Sequence, residues 1–197
     1  MEKPEEIVIA SQNQNKINEI EEALAKFSVK VTSLNDYSEV GEIDENGSSF
    51  EENAEIKARA VMNVVNKPVI ADDSGLVVPA LNGAPGIHSA RYAGDHDDDA
   101  NNRKLIKELA GKNREAYFES VLVFLTPAGD KVVAEGKVDG EILTESRGDN
   151  GFGYDPFFLI PGSQKTMAEM SIHEKNAVSH RGRAIKQLVA KLSEAWS

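Results

Sequence analysis

The chain has no cysteine among its 197 residues, which excludes disulfides, thiolate metal sites and cysteine nucleophiles. Any metal must therefore be held by oxygen atoms or by one of the four histidines. Long apolar runs are missing as well. The longest, Val121 to Leu125 and Phe157 to Ile160, are strand-length and far below the roughly 20 residues that cross a bilayer, so no membrane partner is expected. Positive charge is scarce: 22 lysines and arginines stand against 33 acids, a net charge of −11. A groove for DNA or RNA needs clustered cations to displace counterions, so polymeric nucleic acid is not an expected partner. A small polyanion stays open, because a few local cations and a divalent metal can reverse the potential inside one pocket. The opening Met1-Glu2-Lys3-Pro4-Glu5-Glu6 is too acidic for a signal or transit peptide, which makes the cytoplasm the expected location.

What is present reads as an ordinary globular chain, 40% hydrophobic and 28% charged, with one domain over residues 1–197 long enough to bury a substantial core. Ile7 to Ala10 is an apolar run ending in Ser11, and Ile17, Ile20, Leu24 and Phe27 then follow at helical spacing. A short strand is expected near Val29 to Thr32, and acidic loop over Asn35 to Asn46. Ser48 and Ser49, each followed three residues later by Glu51 and Glu52, are overlapping capping boxes for a helix to about Val65. Pro68 to Ala71 reads as a buried strand with Asp72 and Asp73 at its carboxyl end, where open α/β sheets place ligands. A Gly- and Pro-rich loop runs from Leu81 to Asp95, and Asp98 or Asp99 caps a helix through Leu109. Tyr117 to Leu125 and Lys131 to Val138 flank the turn Pro127-Ala128-Gly129-Asp130 and predict a long antiparallel hairpin. Residues 146–156 form a glycine-rich loop, Phe157 to Ile160 a strand, and Ser179 to Trp196 a terminal amphipathic helix. The order implies an α/β fold with a long mixed sheet flanked by helices.

Several segments can carry chemistry. Ser11-Gln12-Asn13-Gln14-Asn15-Lys16 joins a strand to a helix, where helix-start amides and a lysine can hold phosphate oxygens; read locally, it is equally an Asn-rich cap with a solvated lysine. It is no P-loop, having neither a glycine nor the Gly-Lys-Ser/Thr ending. Asp72 and Asp73 suit a hard cation such as Mg2+, which prefers carboxylate oxygens and keeps several waters, or else form an Asx turn before Ser74-Gly75. Glu52 and Asn53 fall in the first turn of the second helix, with Lys57 one turn beyond Asn53 on the same face, which can be an exposed face with an ordinary Glu-to-Lys pair. Arg91 is a surface ion-pairing residue or a ligand contact. Gly148-Asp149-Asn150-Gly151-Phe152-Gly153-Tyr154-Asp155-Pro156 has the flexibility and the two aromatics to wrap a flat ligand. His88, His96 and His173 read as solvated or capping residues, and Asp97 to Asp99 as a helix start.

Taken together, Ser11 to Lys16, Ala71 to Leu76, Gly86 to Tyr92, Gly148 to Pro156 and Ser179-His180-Arg181 resemble the inosine triphosphate pyrophosphatase family, over a span from about Ile7 to about Ala184. The resemblance implies a two-lobed elongated sheet with a cleft between the lobes, a homodimer, and Mg2+-dependent hydrolysis of the non-standard purine nucleotides ITP, dITP and XTP to the monophosphate and pyrophosphate. It implies that Ser11 to Lys16 and Lys57 bind the triphosphate and that Asp73 is both metal ligand and proton acceptor. Asp72 and an acid in the preceding loop, Glu45 or the adjacent Asp44, complete the metal site. Ser74, Arg91, Phe152, Gly153, Tyr154, Asp155, Lys175, His180 and Arg181 are the remaining substrate positions.

The base itself sets the chemistry expected of that last group. Hypoxanthine carries a 6-oxo acceptor where adenine has an amino donor, so a pocket lined with the donors of Lys175, His180 and Arg181 leaves the amines of ATP and GTP unpaired. Phe152 or Tyr154 can stack on the ring, and Asp155 can accept a ring N–H. Asn150 stands at a position where the family commonly has glycine, which can stiffen the loop. Two rivals remain, a nucleotide phosphatase and a non-catalytic nucleotide sensor. A zinc deaminase needs cysteine ligands that the chain lacks.

Overall fold

The structure, a computed structural model, describes residues 1–197. Seven strands are present: β1 (Glu6–Ile9), β2 (Lys30–Ser33), β3 (Val69–Val77), β4 (Glu115–Leu125), β5 (Lys131–Ile142), β6 (Phe158–Ile160) and β7 (Lys165–Thr166). They hydrogen-bond in the order β2-β1-β3-β4-β5-β6-β7. β1 pairs parallel with β2 and with β3, and β6 pairs antiparallel with β5 and with β7, so the sheet is mixed, as expected. The helices flanking it are α1 (Gln14–Leu24), α2 (Phe50–Val65), α3 (Asp98–Glu108), α4 (Ile172–Val178) and α5 (His180–Ala195). None is long and apolar enough to cross a membrane.

The chain packs into two compact units, neither of them contiguous in sequence. The first comprises Met1–Asp73, Ser120–Gly136 and Gly182–Ser197, the second Ser74–Glu119 and Lys137–Arg181. The first unit buries Ile7 and Ile9 of β1, Ile17, Ile20 and Leu24 of α1, Ile70, Phe124 and the inner stripe Ile185, Leu188 and Leu192 of α5. Asn13 fixes where α1 begins: its Oδ1 accepts the N–H groups of Asn15 at 3.0 Å and Lys16 at 3.3 Å, meeting two of the donors that a helix start leaves unpaired. Ser49 does the same for α2, its hydroxyl taking the Glu52 N–H at 3.1 Å. The second unit has its own core around Leu76, Leu105, Leu109, Phe118, Tyr154, Phe158 and Met167.

Among the departures from expectation are β3, α3 and α4. β3 does not stop at Ala71 but runs on through Asp72, Asp73, Ser74 and Gly75 to Val77. Those residues disfavour strands on their own; β4, lying beside β3, supplies the pairing that overrides propensity. The two acids are thus inside the strand, just past the last parallel pair, Ile9 with Ile70. α3 is capped by Asp97, whose Oδ1 accepts the Ala100 N–H at 2.9 Å, which leaves Asp98 inside the first turn. α4 was not expected from periodicity, being only seven residues long. Its signal was the capping box at Ser171 and Glu174, where Ser171 N–H donates to Glu174 at 2.8 Å and Glu174 N–H to Ser171 Oγ at 3.1 Å.

Candidate active site

In the first unit, β1 ends at a turn, α1 begins, and β3 delivers its two acids beside α2. The Lys16 ammonium lies 2.9 Å and 3.2 Å from the two carboxylate oxygens of Asp72, so it is not the solvated lysine of a simple cap. Lys57, one turn beyond Asn53 on α2, lies 2.8 Å from Glu45 Oε1 and donates to the Asp72 carbonyl at 2.9 Å. With its side chain only 16% exposed, it is not the open helix-face pair that local sequence allows. Burial works against its charge, yet Asp72, Glu45 and Asp73 outweigh burial and hold its pKa above the ordinary lysine value.

Of the two acids in the preceding loop, one reaches this cluster. Glu45 reaches Lys57, whereas Asp44 meets only the Asn46 amide, at 3.5 Å. Asn53 ties that loop down. It is 2% exposed, and its Oδ1 accepts the Gly47 N–H at 2.8 Å while its side chain hydrogen-bonds to Asp73. The sequence signal for this was the place of Asn53 in the first turn of α2, four residues before Lys57.

Asp73 is the most perturbed group of this cluster. Burial pushes its carboxyl up to about 6, Lys57 and the Asn53 hydrogen bond pull it down, and the negative charges of Glu45 and Asp72 add to the rise. The three carboxylates do not close into a three-ligand metal cage, because Asp72 is turned to Lys16. Of the expected set of Asp72, Asp73 and Glu45, Asp72 is ion-paired with Lys16 and Glu45 with Lys57. Carboxylates such as these fit Mg2+, which commonly takes one or two protein carboxylates and completes its shell with phosphate oxygens and water. Three carboxylates against two ammoniums also leave an anionic excess that a cation relieves. Of the flanking positions, Ser11 is half-buried, and the side chains of Gln12, Asn13, Gln14 and Asn15 are exposed. Gln14 bonds along its own helix to Asn18 at 2.7 Å.

The second unit carries the glycine loop. Phe152 is 54% exposed, which presents its ring for stacking. Tyr154, named beside it as an alternative stacking residue, is buried in the core and donates its hydroxyl to the Ser89 carbonyl at 2.7 Å. Asp155, 4% exposed, accepts the Phe152 N–H at 3.1 Å and the Lys175 ammonium at 2.6 Å, and Lys175 lies 4.9 Å from the centre of the Phe152 ring. Gly151 makes this possible. Its φ is +75°, and a Cβ there would lie 2.1 Å from Asp155 Oδ2.

Asn150 braces the other end of the loop, donating its N–H to Ala168 and its amide to Met170, both at 3.0 Å. His180 opens α5, buried and stacked on Phe118 with centroids 4.8 Å apart. Arg181 beside it is also buried. Ser74 is half-buried within β3, and Arg91 is exposed at the end of a short 3-10 turn over Gly86–Arg91. His88, His96 and His173 are exposed, as expected.

Residues 7–191 match the Ham1 family. A protein of Lactiplantibacillus plantarum named dITP/XTP pyrophosphatase is 49% identical over 200 residues, covering 100% of this chain and 99% of its own length. A Listeria monocytogenes protein of the same name is 50% identical over 192 residues, covering 95% of each chain. Among solved structures, the HAM1 protein from Coxiella burnetii superposes with a TM-score of 0.91 at 43% identity, over 96% of this chain and 98% of that one.

Proposed function

Because this chain belongs to the Ham1 family, we propose that it hydrolyses ITP, dITP and XTP to the nucleoside monophosphate and pyrophosphate, removing these nucleotides from the pool. Asp73 carries this reading. With no cation bound, this buried carboxyl is raised to about 6, hydrogen-bonded by Asn53 and facing Lys57; it is ionised at neutral pH and can accept a proton from water. Lys57, charged and held between Glu45 and the Asp72 carbonyl, and Lys16, held by Asp72, are the cations that meet the β and γ phosphates. They stabilise charge on pyrophosphate as it leaves. The exposed backbone turn from Ser11 to Asn15 lines the same end. Asp73, with Asp72 and Glu45, would hold Mg2+, which would supply charge neutralisation of the triphosphate.

At the base end, Phe152 stacks on the purine, and Lys175, His180 and Arg181 supply the donors that suit an oxo group and leave an amino group unpaired. Ser74, Arg91 and Gly153 are the remaining contacts of this reading. It also takes the protein to be a cytoplasmic homodimer, which sedimentation at micromolar concentration checks. The direct test is product analysis. ITP with Mg2+ should yield IMP and pyrophosphate in equal amounts with no IDP, and EDTA should abolish turnover. IDP and orthophosphate as first products would establish a phosphatase instead; tight ITP binding without product would establish a sensor.

A further inference from the structure

Asp98 and Asn102 stand one turn apart on α3 and hold the same residue of the glycine loop. Asp98 Oδ2 accepts the Gly153 N–H at 2.8 Å. The Asn102 amide donates to the Gly153 carbonyl at 2.8 Å and to the Asp98 carbonyl at 2.9 Å. Two carbonyl partners fix the amide's orientation, since only its NH2 side can donate. Both backbone polar groups of Gly153 are therefore fastened to one helix, at the residue immediately after Phe152.

Neither side chain is explained by the helix it belongs to. The cap of α3 is made by Asp97, so Asp98 is not needed there. Asn102 is only 7% exposed and its Oδ1 has no partner, a destabilising choice for a helix interior unless the amide does something that a hydrophobe cannot. On its α3 side, packing does not replace these bonds at Gly153. Between α3 and the loop lies a cavity of about 690 Å3, lined among others by Asn102, Ile106, Phe152 and Phe157, and Gly151 and Gly153 both have positive φ.

We propose that Asp98 and Asn102 are positioning residues for base selection, fastening Gly153 so that Phe152 presents the purine edge to the donors at a fixed height. This rests on the reading that Phe152 stacks on the base. Discrimination between an oxo and an amino group is only as sharp as the placement of that edge, and the relation of Phe152 to Asp155 and Lys175 turns on the peptide that Asp98 and Asn102 hold.

The test compares kcat/KM for ITP and ATP in Asp98→Ala, Asn102→Leu and wild type, with Tm and amide exchange at Gly153 measured on the ligand-free proteins. Asn102→Leu keeps the volume and removes the unpaired oxygen, so its Tm should hold or rise, which separates positioning from stability. In both variants Gly153 exchange should accelerate, and the ITP preference should fall about tenfold, mainly through KM for ITP, as expected for loss of a charge-assisted or buried hydrogen bond. Asp98→Asn retains an acceptor and should recover most of the preference. In a Phe152→Ala background the Asp98 change should add less than about twofold, because the two act through one step. An ITP preference unchanged in both variants while exchange rises, or full additivity with Phe152→Ala, overturns the proposal. Absence of ITP turnover in the wild type is a different result and overturns the function reading, and the base-selection role with it.

Discussion

At the scale of single residues, Asp73 combines the catalytic role proposed for it with a cost to the fold. Its folded pKa, about 6, lies above the ordinary 3.8 because burial disfavours the charge. The sign follows from linkage: the uncharged form is favoured on folding, so stability is full below about pH 4 and is lost as pH rises through about 6. Above that the ionised group costs at most about 3 kcal/mol. Asp73→Asn keeps an acceptor for Asn53 and cannot ionise. In EDTA it should melt several degrees above wild type at pH 8 and level with it at pH 4, while turnover of ITP falls more than roughly 100-fold. Equal melting at pH 8 would remove burial as the cause of the raised pKa, and a rate above about a tenth of wild type would remove the base role. The residues of this cluster were legible because strand, turn and helix bring short motifs together. The turn of Asp72 toward Lys16, the buried hydroxyl contact of Tyr154 and the grip of Asp98 on Gly153 were not, since each depends on a partner between 55 and 65 residues away.

At the scale of elements, the glycine loop and its neighbours show why composition alone misjudges which positions are constrained. Gly151 and Gly162 both read as loop glycines. Only the first has a left-handed φ and a carboxylate against the site of its missing Cβ; around Gly162 nothing lies within 4 Å. Gly151→Ala should push Asp155 away from the Phe152 N–H and from Lys175, raise KM for ITP by about tenfold or more, and lower Tm by the few degrees that about 1–3 kcal/mol represents in a chain of this size. Gly162→Ala should change neither. Matching effects at both positions would mean that loop flexibility, not the Asp155 contact, is what Gly151 supplies. α1, α2, the β4–β5 hairpin and α5 were legible because each carries a long periodic pattern or a cap. The extension of β3 through Asp-Asp-Ser-Gly was hidden because a neighbouring strand, not local preference, makes it.

At the scale of the whole molecule, against a net charge of −11, Lys16 and Lys57 in one unit and Lys175 in the other each sit in ion pairs with local acids. No stretch of sequence announces these units, since each is assembled from separate segments. The arrangement implies a division of labour. Lys57 shares partners with Glu45 and Asp72, Lys175 with Asp155, and the two lysines have no partner in common. Lys57→Gln should therefore lower kcat/KM for ITP and ATP by the same factor, roughly 100-fold or more for a lost transition-state cation, and shift the Mg2+ concentration needed for half-maximal rate. Lys175→Gln should lower the ITP-to-ATP ratio and leave the Mg2+ requirement where it was. In the double variant the two losses should multiply to within about twofold, as they do for sites without shared contacts. A change in the ITP-to-ATP ratio on Lys57→Gln would instead give the phosphate cluster a part in reading the base, and the division between the two sets of residues would not hold.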